Sequence, residues 1–451
     1  MVIHLAVLAL WVALFLLAFG RGGVVAWSVG LAYLAYDLAL LMFTGWQIRR
    51  ITTRDAPAEP AADGLTLGVL VAAHNEATAL PVTLTALLNA DRAPDQIVIA
   101  DDGSSDGTAR ILTEQFGLRD GGVPTRIGET VVLWLRLPHA GKASALNAAL
   151  TACTCDVILT VDADTVVEPG AIKAVRQAFS AEPDLVGVTG VITPVCAPGA
   201  RGRVLQWFQT YEYIRNFLGR YAWMRIDCLQ LISGAFAGFR RSAVVEVGGF
   251  DDACLVEDYE LVARLQRYAG EHHLSWRFRA LGDAQARTEA PGTLLAFLRQ
   301  RRRWFGGFLQ TQWWYRAMVG DRRLGALGTV MLPIKALDTV HPLYGLTALA
   351  LLASFLISGR FDVLGPVLLV VAGKLVIDMA FAAWSVRRYR HWTGDPGRAS
   401  MAGSALATMV APFTFTLLLH AGAALGWGAF LGGTARWGNQ RRFGMTSPAG
   451  G

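Results

Sequence analysis

Charge is scarce in this chain: Asp, Glu, Lys and Arg make up 17% of its 451 residues, and lysine occurs only at Lys142, Lys173, Lys335 and Lys374. With 53% apolar residues and a mean hydropathy of +0.38, the composition excludes a disordered chain and lies outside the range of ordinary soluble enzymes. The 41 basic residues exceed the 35 acidic ones by a formal +6. In so apolar a chain that small excess reads as basic loops beside a membrane, and no nucleic-acid partner is expected. Cysteine is also rare. The five, Cys153, Cys155, Cys196, Cys228 and Cys254, are odd in number and show no repeated ligand spacing, which excludes a disulfide scaffold and a zinc module and leaves reduced thiols.

What the chain has in abundance is long apolar runs. Roughly 20 apolar residues of helix cross a hydrocarbon core. Residues 2–19 and 24–46 are two such runs separated by Gly20-Arg21-Gly22-Gly23, and they predict a helical hairpin whose exit, marked by Arg49, Arg50 and Arg54, is cytoplasmic. A cleaved signal peptide fits poorly, because little basic charge precedes the first run and the second follows at once. Apolar character returns at 324–357, 363–386 and 401–431. Basic positions at Arg322/Arg323, Arg387/Arg388/Arg390 and Arg436/Arg441/Arg442 all favour the cytoplasm, so the last run, broken at Pro412, is expected to enter and return. Asp37, Lys335, Asp338, His341, Lys374 and Asp378 lie inside these runs. An Asp or Lys at a helix centre costs roughly 2.5–3.5 kcal/mol on insertion scales, so each needs a polar partner. Self-pairing at i,i+3 and i,i+4 (Lys335/Asp338, Lys374/Asp378) is one answer, and a hydrated passage is the other.

Between the apolar blocks the pattern changes. Short apolar runs at 65–72, 96–100 and 157–161 alternate with helix-like stretches and Gly/Asp turns, which is α/β patterning. The expected division is a transmembrane hairpin at 1–50 and an Ala/Pro/acid linker at 51–64. An α/β domain at 65–292 and an amphipathic interface helix at 293–323 follow, then a transmembrane block at 324–432 and a cytoplasmic tail at 433–451.

The candidate chemistry sits just past strand ends, where open α/β sheets bind ligands. The first strand runs into His74-Asn75-Glu76 and the next into Asp101-Asp102-Gly103-Ser104. Asp102 can accept from a uracil N–H or a ribose hydroxyl, and His74 offers a ring for stacking a base, although Asp-Asp-Gly-Ser is also an ordinary turn. The run 157–161 ends in Asp162-Ala163-Asp164, two hard oxygen donors at a strand spacing that suits Mg²⁺ or Mn²⁺ bridging a diphosphate. Lys142, in Gly141-Lys142-Ala143-Ser144-Ala145-Leu146-Asn147, opens a helix, and a cation there fits a phosphate partner better than the helix dipole. Glu257-Asp258 opens another helix and is either a site or an N-cap. Gln300-Arg301-Arg302-Arg303-Trp304 lies on a helical stretch with Phe305, Phe308, Trp313 and Trp314, which suits the membrane surface.

In this order, the motifs Asn-Glu, Asp-Asp-Gly-Ser, Gly-Lys-x-x-Ala-Leu-Asn, Asp-Ala-Asp, Gly-x-x-x-x-Phe-Arg-Arg, Glu-Asp and Gln-x-x-Arg-Trp resemble those of the processive, membrane-embedded family 2 glycosyltransferases. These include cellulose, chitin, hyaluronan and poly-N-acetylglucosamine synthases. The resemblance implies an α/β GT-A-type glycosyltransferase domain inserted between N- and C-terminal α-helical transmembrane segments. It also implies a UDP-sugar donor, inversion, and a growing β-linked polysaccharide as acceptor. By motif match, His74, Glu76, Lys142, Asp102 and Asp162 contact the donor, and Asp162 and Asp164 hold the Mg²⁺ or Mn²⁺. Asp258 is the general base. Phe239, Arg240, Gln300, Arg303 and Trp304 bind the acceptor. The stretch 437–442 is similar to a C-terminal Trp-Gly-Thr-Arg element, but Asn439-Gln440 replaces Thr-Arg. Val256 stands where a Thr often precedes Glu-Asp, and Ala72 where a Pro is frequent.

The implied setting is the inner cell membrane with the catalytic domain in the cytoplasm, with room for accessory export subunits. So little chain follows the last apolar run that no fused cyclic-dinucleotide-binding module is expected. N-acetylglucosamine is the expected sugar, because two leading helices and a compact C-terminal block look most like the poly-N-acetylglucosamine and chitin-oligosaccharide relatives. Two other readings stay open: transfer of one sugar to a membrane lipid, and a non-catalytic transporter or scaffold with a decayed transferase domain.

Overall fold

The computed structural model describes residues 2–51, 64–394, 397 and 399–433, so most of the expected linker and tail, with the 437–442 element, falls outside it. The chain opens with α1 (Val2–Gly20) and α2 (Ser28–Ile48), joined by a 3₁₀ turn whose Trp27 Nε1 donates to Ala348 O at 2.8 Å. The β-branched runs then form strands β1 (Leu67–Ala73), β2 (Gln96–Asp102), β3 (Thr125–Ile127), β4 (Thr130–Leu137), β5 (Val157–Val161), β6 (Thr165–Val167), β7 (Leu185–Val195), β8 (Phe236–Arg240) and β9 (Arg277–Glu289). Among the described residues these make one nine-stranded sheet in the order β3-β4-β2-β1-β5-β8-β7-β9-β6. β4, β2, β1 and β5 are parallel, and β8 runs antiparallel to both β5 and β7. The first half is therefore a doubly wound α/β unit, crossed by α3 (Leu80–Leu88), α4 (Thr108–Phe116) and α5 (Lys142–Ala152). α6 (Ala171–Ala181), α7 (Ala200–Met224), α8 (Arg241–Glu246) and α9 (Glu257–Glu271) flank the second half.

α10 (Leu294–Trp314) follows β9 and leads to α11 (Leu332–Asp338), α12 (His341–Ile357) and α13 (Phe361–Thr393). Segments Val2–Gly20, Gly23–Ile48, Leu327–Ile357 and Phe361–Thr393 are each long and apolar enough to cross a membrane. α14 (Met401–Val410) and α15 (Phe415–Leu431) meet at a bend of 53°, the geometry of a broken span or a re-entrant loop. The Asp and Lys groups singled out in these helices are paired. Lys374 Nζ lies 2.5 Å from both Asp378 Oδ1 and Asp37 Oδ2, Arg215 reaches Asp37 Oδ1 at 2.7 Å, and Lys335 meets Asp338 at 2.7 Å. The expected i,i+3 and i,i+4 pairs thus exist, and Asp37 ties one of them across to α2.

The core does not stop at the membrane. Ile48 and Ile51 below α2, and Val386, Tyr389 and Trp392 on α13, belong to the same buried apolar cluster as the sheet residues. Gln285 Nε2 on β9 donates to Thr393 O at 2.6 Å.

Candidate active site

Two corners of the site lie at the carboxyl ends of the parallel strands. In the first, His74 Nδ1 lies 2.7 Å from Asp102 O, and Asn75, held at φ 58°, accepts at Oδ1 from Ser105 N (2.8 Å) and Asp106 N (3.2 Å). Glu76 is buried, and its N–H donates to Thr108 Oγ1 at 3.0 Å. Asp102 is 4% exposed, and its Oδ1 accepts from Ala140 N at 2.7 Å while Oδ2 accepts from Gly141 N at 3.0 Å. His139, absent from the sequence reading, stacks near His74 with ring centroids 4.4 Å apart and lies 2.9 Å from Asp102 Oδ2. Its only sequence signal was its place just before Gly141-Lys142. Asp102 therefore fastens the loop that presents Lys142, and Gly141 enters α5 at φ 101°, a conformation open to glycine.

The second corner is a cluster of carboxylates around that lysine. Lys142 Nζ lies 2.6 Å from Asp162 Oδ1 and 3.0 Å from Glu257 Oε1. Burial works against the ammonium, but Asp162 and Glu257 outweigh it and hold its pKa above the ordinary lysine value. Asp258, in the first turn of α9, accepts at Oδ2 from Gly234 N (2.6 Å) and at Oδ1 from Tyr259 N (2.8 Å). Burial and then the neighbouring Glu257 raise its pKa, against the opposing pull of Lys142 and these two N–H groups. Asp164 is 6% exposed, and Thr288 Oγ1 lies 3.5 Å from its Oδ1. Among the described residues the three side chains whose ligand atoms converge closely enough to hold a metal ion are His74, Asp102 and His139, while Asp162 and Asp164 offer two hard oxygen donors beside Lys142.

α10 brings its motif beside the start of α9. Gly307 lets α10 lie against the residue before Glu257-Asp258: a Cβ at Gly307 would stand 2.4 Å from Val256 Cγ2. Trp304 packs on Cys254, Val256 and Tyr259, and the Arg301 guanidinium lies 4.6 Å from its ring centroid. Arg301 also forms a bidentate pair with Glu212 at 2.6 and 2.7 Å, joining α10 to α7. Gln300 is 8% exposed, and both its Oε1 and Arg303 Nε are buried.

Phe239 and Arg240 are not brought to this cluster. Because β8 runs antiparallel to β5, each residue after Phe236 moves away from Asp162 by roughly 3.3 Å. Phe239 ends 1% exposed in the sheet interior, and Arg240 donates to Leu185 O at 3.2 Å at the opposite end. From that stretch it is Gly234 and Ala235 that reach the site, the latter accepting from Asp162 N at 3.3 Å.

The mixed sheet with its flanking helices is a GT-A fold. Residues 157–371 match the family model "Glycosyl transferase family group 2". It is 29% identical over 249 residues, 54% of each chain, to the poly-beta-1,6-N-acetyl-D-glucosamine synthase of Staphylococcus aureus, and 28% identical over 245 residues to that of Staphylococcus epidermidis, covering 53% of this chain and 54% of the relative. The chain thus spans about half the length of the curated relatives it matches. Among solved structures, the mannosyltransferase PcManGT from Pyrobaculum calidifontis, in complex with GDP-Man and Mn²⁺, shares the fold at a TM-score of 0.56 and 18% identity, over 86% of this chain and 97% of that one.

Proposed function

We propose that this protein transfers a sugar, N-acetylglucosamine, from a UDP-sugar to a growing β-linked polysaccharide with inversion, and delivers the product across the inner membrane from a cytoplasmic domain. The observation that carries this reading is Asp258: a carboxylate with its pKa raised, next in sequence to Tyr259, on which Trp304 packs, and close enough to Lys142 for the ammonium to act on it. The homology to poly-beta-1,6-N-acetyl-D-glucosamine synthases supports the choice of sugar and of a polymeric product.

In this mechanism His74, Glu76 and Asp102 form the nucleotide corner, and Lys142 balances charge beside the diphosphate. Asp162 and Asp164 would hold Mg²⁺ or Mn²⁺, which screens the leaving diphosphate. Asp258 removes the proton from the acceptor hydroxyl as it attacks in line, and a single displacement inverts the carbon. Screening UDP-N-acetylglucosamine, UDP-glucose and GDP-mannose for nucleotide release, with enzymatic digestion of the product, tests the reading. A lipid-extractable product bearing one sugar would overturn the polymer assignment, and no nucleotide release from any donor would favour the non-catalytic reading.

Further outcomes follow from named residues. Asp164→Asn should lose the metal-dependent part of nucleotide binding, and wild-type binding that ignores a chelator would remove the metal assignment. A tag at the N-terminus and one at Gly64 should both be cytoplasmic, since α1 and α2 form a hairpin; external labelling at Gly64 would part the domain from its nucleotide sugar. Trp304→Ala should shorten the product while nucleotide release partly survives, because a sugar's C–H face slides on an indole without demanding one hydroxyl pattern. Trp313, exposed on the same helix, is the control: equal product lengths in Trp304→Ala and Trp313→Ala would sink the stacking role.

A further inference from the structure

The loop between β4 and α5 carries His139 to the carboxyl ends of β1 and β2, beside His74 and Asp102. The two rings lie with centroids 4.4 Å apart, and both Nδ1 atoms turn to Asp102. That of His74 is 2.7 Å from the Asp102 carbonyl oxygen, and that of His139 is 3.1 Å from the same oxygen and 2.9 Å from carboxylate Oδ2. One nitrogen from each ring and one Asp102 carboxylate oxygen fall within 4.8 Å of one another. Outer bonds hold two of the three in place, as they do for metal ligands generally: Asp102 Oδ1 accepts from Ala140 N at 2.7 Å, and His74 Nε2 lies 3.0 Å from Asn75 Nδ2. Ligand atoms around a tetrahedral zinc stand about 3.4 Å apart, so a shift of about 1 Å closes the set around an ion. His139, whose side chain is 62% exposed, is free to make that shift.

The donor set is two imidazoles and one carboxylate. Mg²⁺ takes oxygen ligands, whereas imidazole nitrogen suits Zn²⁺ and its neighbours in the first transition row. Three protein ligands leave a fourth position for water, the count of an open zinc site rather than a closed structural one. We propose that His74, Asp102 and His139 form a binding site for Zn²⁺ or a similar imidazole-preferring divalent cation, built from other residues than the Asp162/Asp164 pair, and that this ion and the donor nucleotide exclude each other. The exclusion rests on the transferase reading, in which His74 and Asp102 hold the nucleotide. An Asp102 oxygen bound to the ion no longer accepts from a base or a ribose hydroxyl, and the His74 ring is turned to the ion in place of a base. Linkage makes the effect mutual, so bound nucleotide weakens the ion by the same factor. The ion therefore acts as an inhibitor competing with the donor.

The test uses the full chain in detergent, prepared without a polyhistidine tag and titrated with Zn²⁺ by calorimetry and with Co²⁺ by visible absorption. Excess Mg²⁺ is present throughout to fill sites made of oxygen alone. His139→Gln, at an exposed position, and His74→Gln should each weaken zinc binding by about 10-fold or more. His272→Gln, which breaks up the exposed His272-His273 pair, should leave it unchanged. Zinc affinity unchanged in both His139→Gln and His74→Gln, or lost as fully in His272→Gln, would overturn the site. With whichever of UDP-N-acetylglucosamine, UDP-glucose and GDP-mannose the wild type turns over, Zn²⁺ should raise the apparent KM for the donor by about 10-fold and leave kcat unchanged, and His139→Gln should escape this inhibition. Zinc that leaves KM unchanged, or that lowers kcat alone, would overturn the exclusion. Failure of the transferase reading shows separately, as no turnover of any donor in the absence of zinc, and the binding titration does not depend on it.

Discussion

Asp258→Asn is expected to lower sugar transfer by about 10² to 10⁴, the contribution of a positioned general base, while nucleotide affinity changes by no more than a few-fold. In the proposed mechanism the carboxylate acts on the acceptor, and the proposed nucleotide corner at His74 and Asp102 is built by other elements. The amide is also a poor fit, because Asp258 accepts from two backbone N–H groups and an asparagine must turn its own N–H₂ toward one of them. The pH dependence carries the same assignment. A base must be deprotonated, so kcat/KM falls as pH drops through its pKa, and burial with Glu257 places that limb above the ordinary carboxylate range. Glu257→Gln removes a like charge and should move the limb to lower pH. A variant Asp258→Asn keeping more than about a tenth of wild-type transfer would exclude the base role.

Lys142→Met should lower kcat/KM for the donor by about 10²-fold, through the lost charge-assisted contact, and should weaken the fold as well. Its ammonium bridges Asp162 and Glu257, with Asp258 close enough to contribute, and removing it leaves these carboxylates facing one another. Stripping one partner from a fully buried ion pair costs about 3–5 kcal/mol, and the loss here should be smaller because Lys142 and Asp162 are only half-buried. With the cation gone, the Asp258 pKa rises further, so the acid limb of the pH profile should move upward, opposite to the shift expected for Glu257→Gln. Lys173→Met, an exposed position on α6, is the control. Unchanged donor kinetics in Lys142→Met would remove the lysine from the site.

The sheet and most of the site were legible because they are local signals. β1, β2 and β5 are apolar runs ending in Asp or His, and a run of that kind carries its chemistry at a known end. Lys142 stood out because lysine is rare and was placed against the helix dipole. What failed was direction. The motif containing Phe239 and Arg240 gave no sign that β8 turns back along β5, so its beginning reaches the site and its end does not. The charges within the membrane helices were legible only in part, since i,i+4 spacing shows Lys374 with Asp378 but not Asp37 arriving from another helix.

The shared core between β9 and α13 bears on how such a protein can be handled. A fragment trimmed to the sheet would lose Trp392 and Val386 from its interior and the Thr393 carbonyl from Gln285, leaving an oily scar along one flank. The family match, which runs from residue 157 in β5 to residue 371 in α13, spans the same seam. The sheet and α13 therefore share one apolar interior, and a biochemist seeking a water-soluble version must redesign that flank rather than look for a cleavage point.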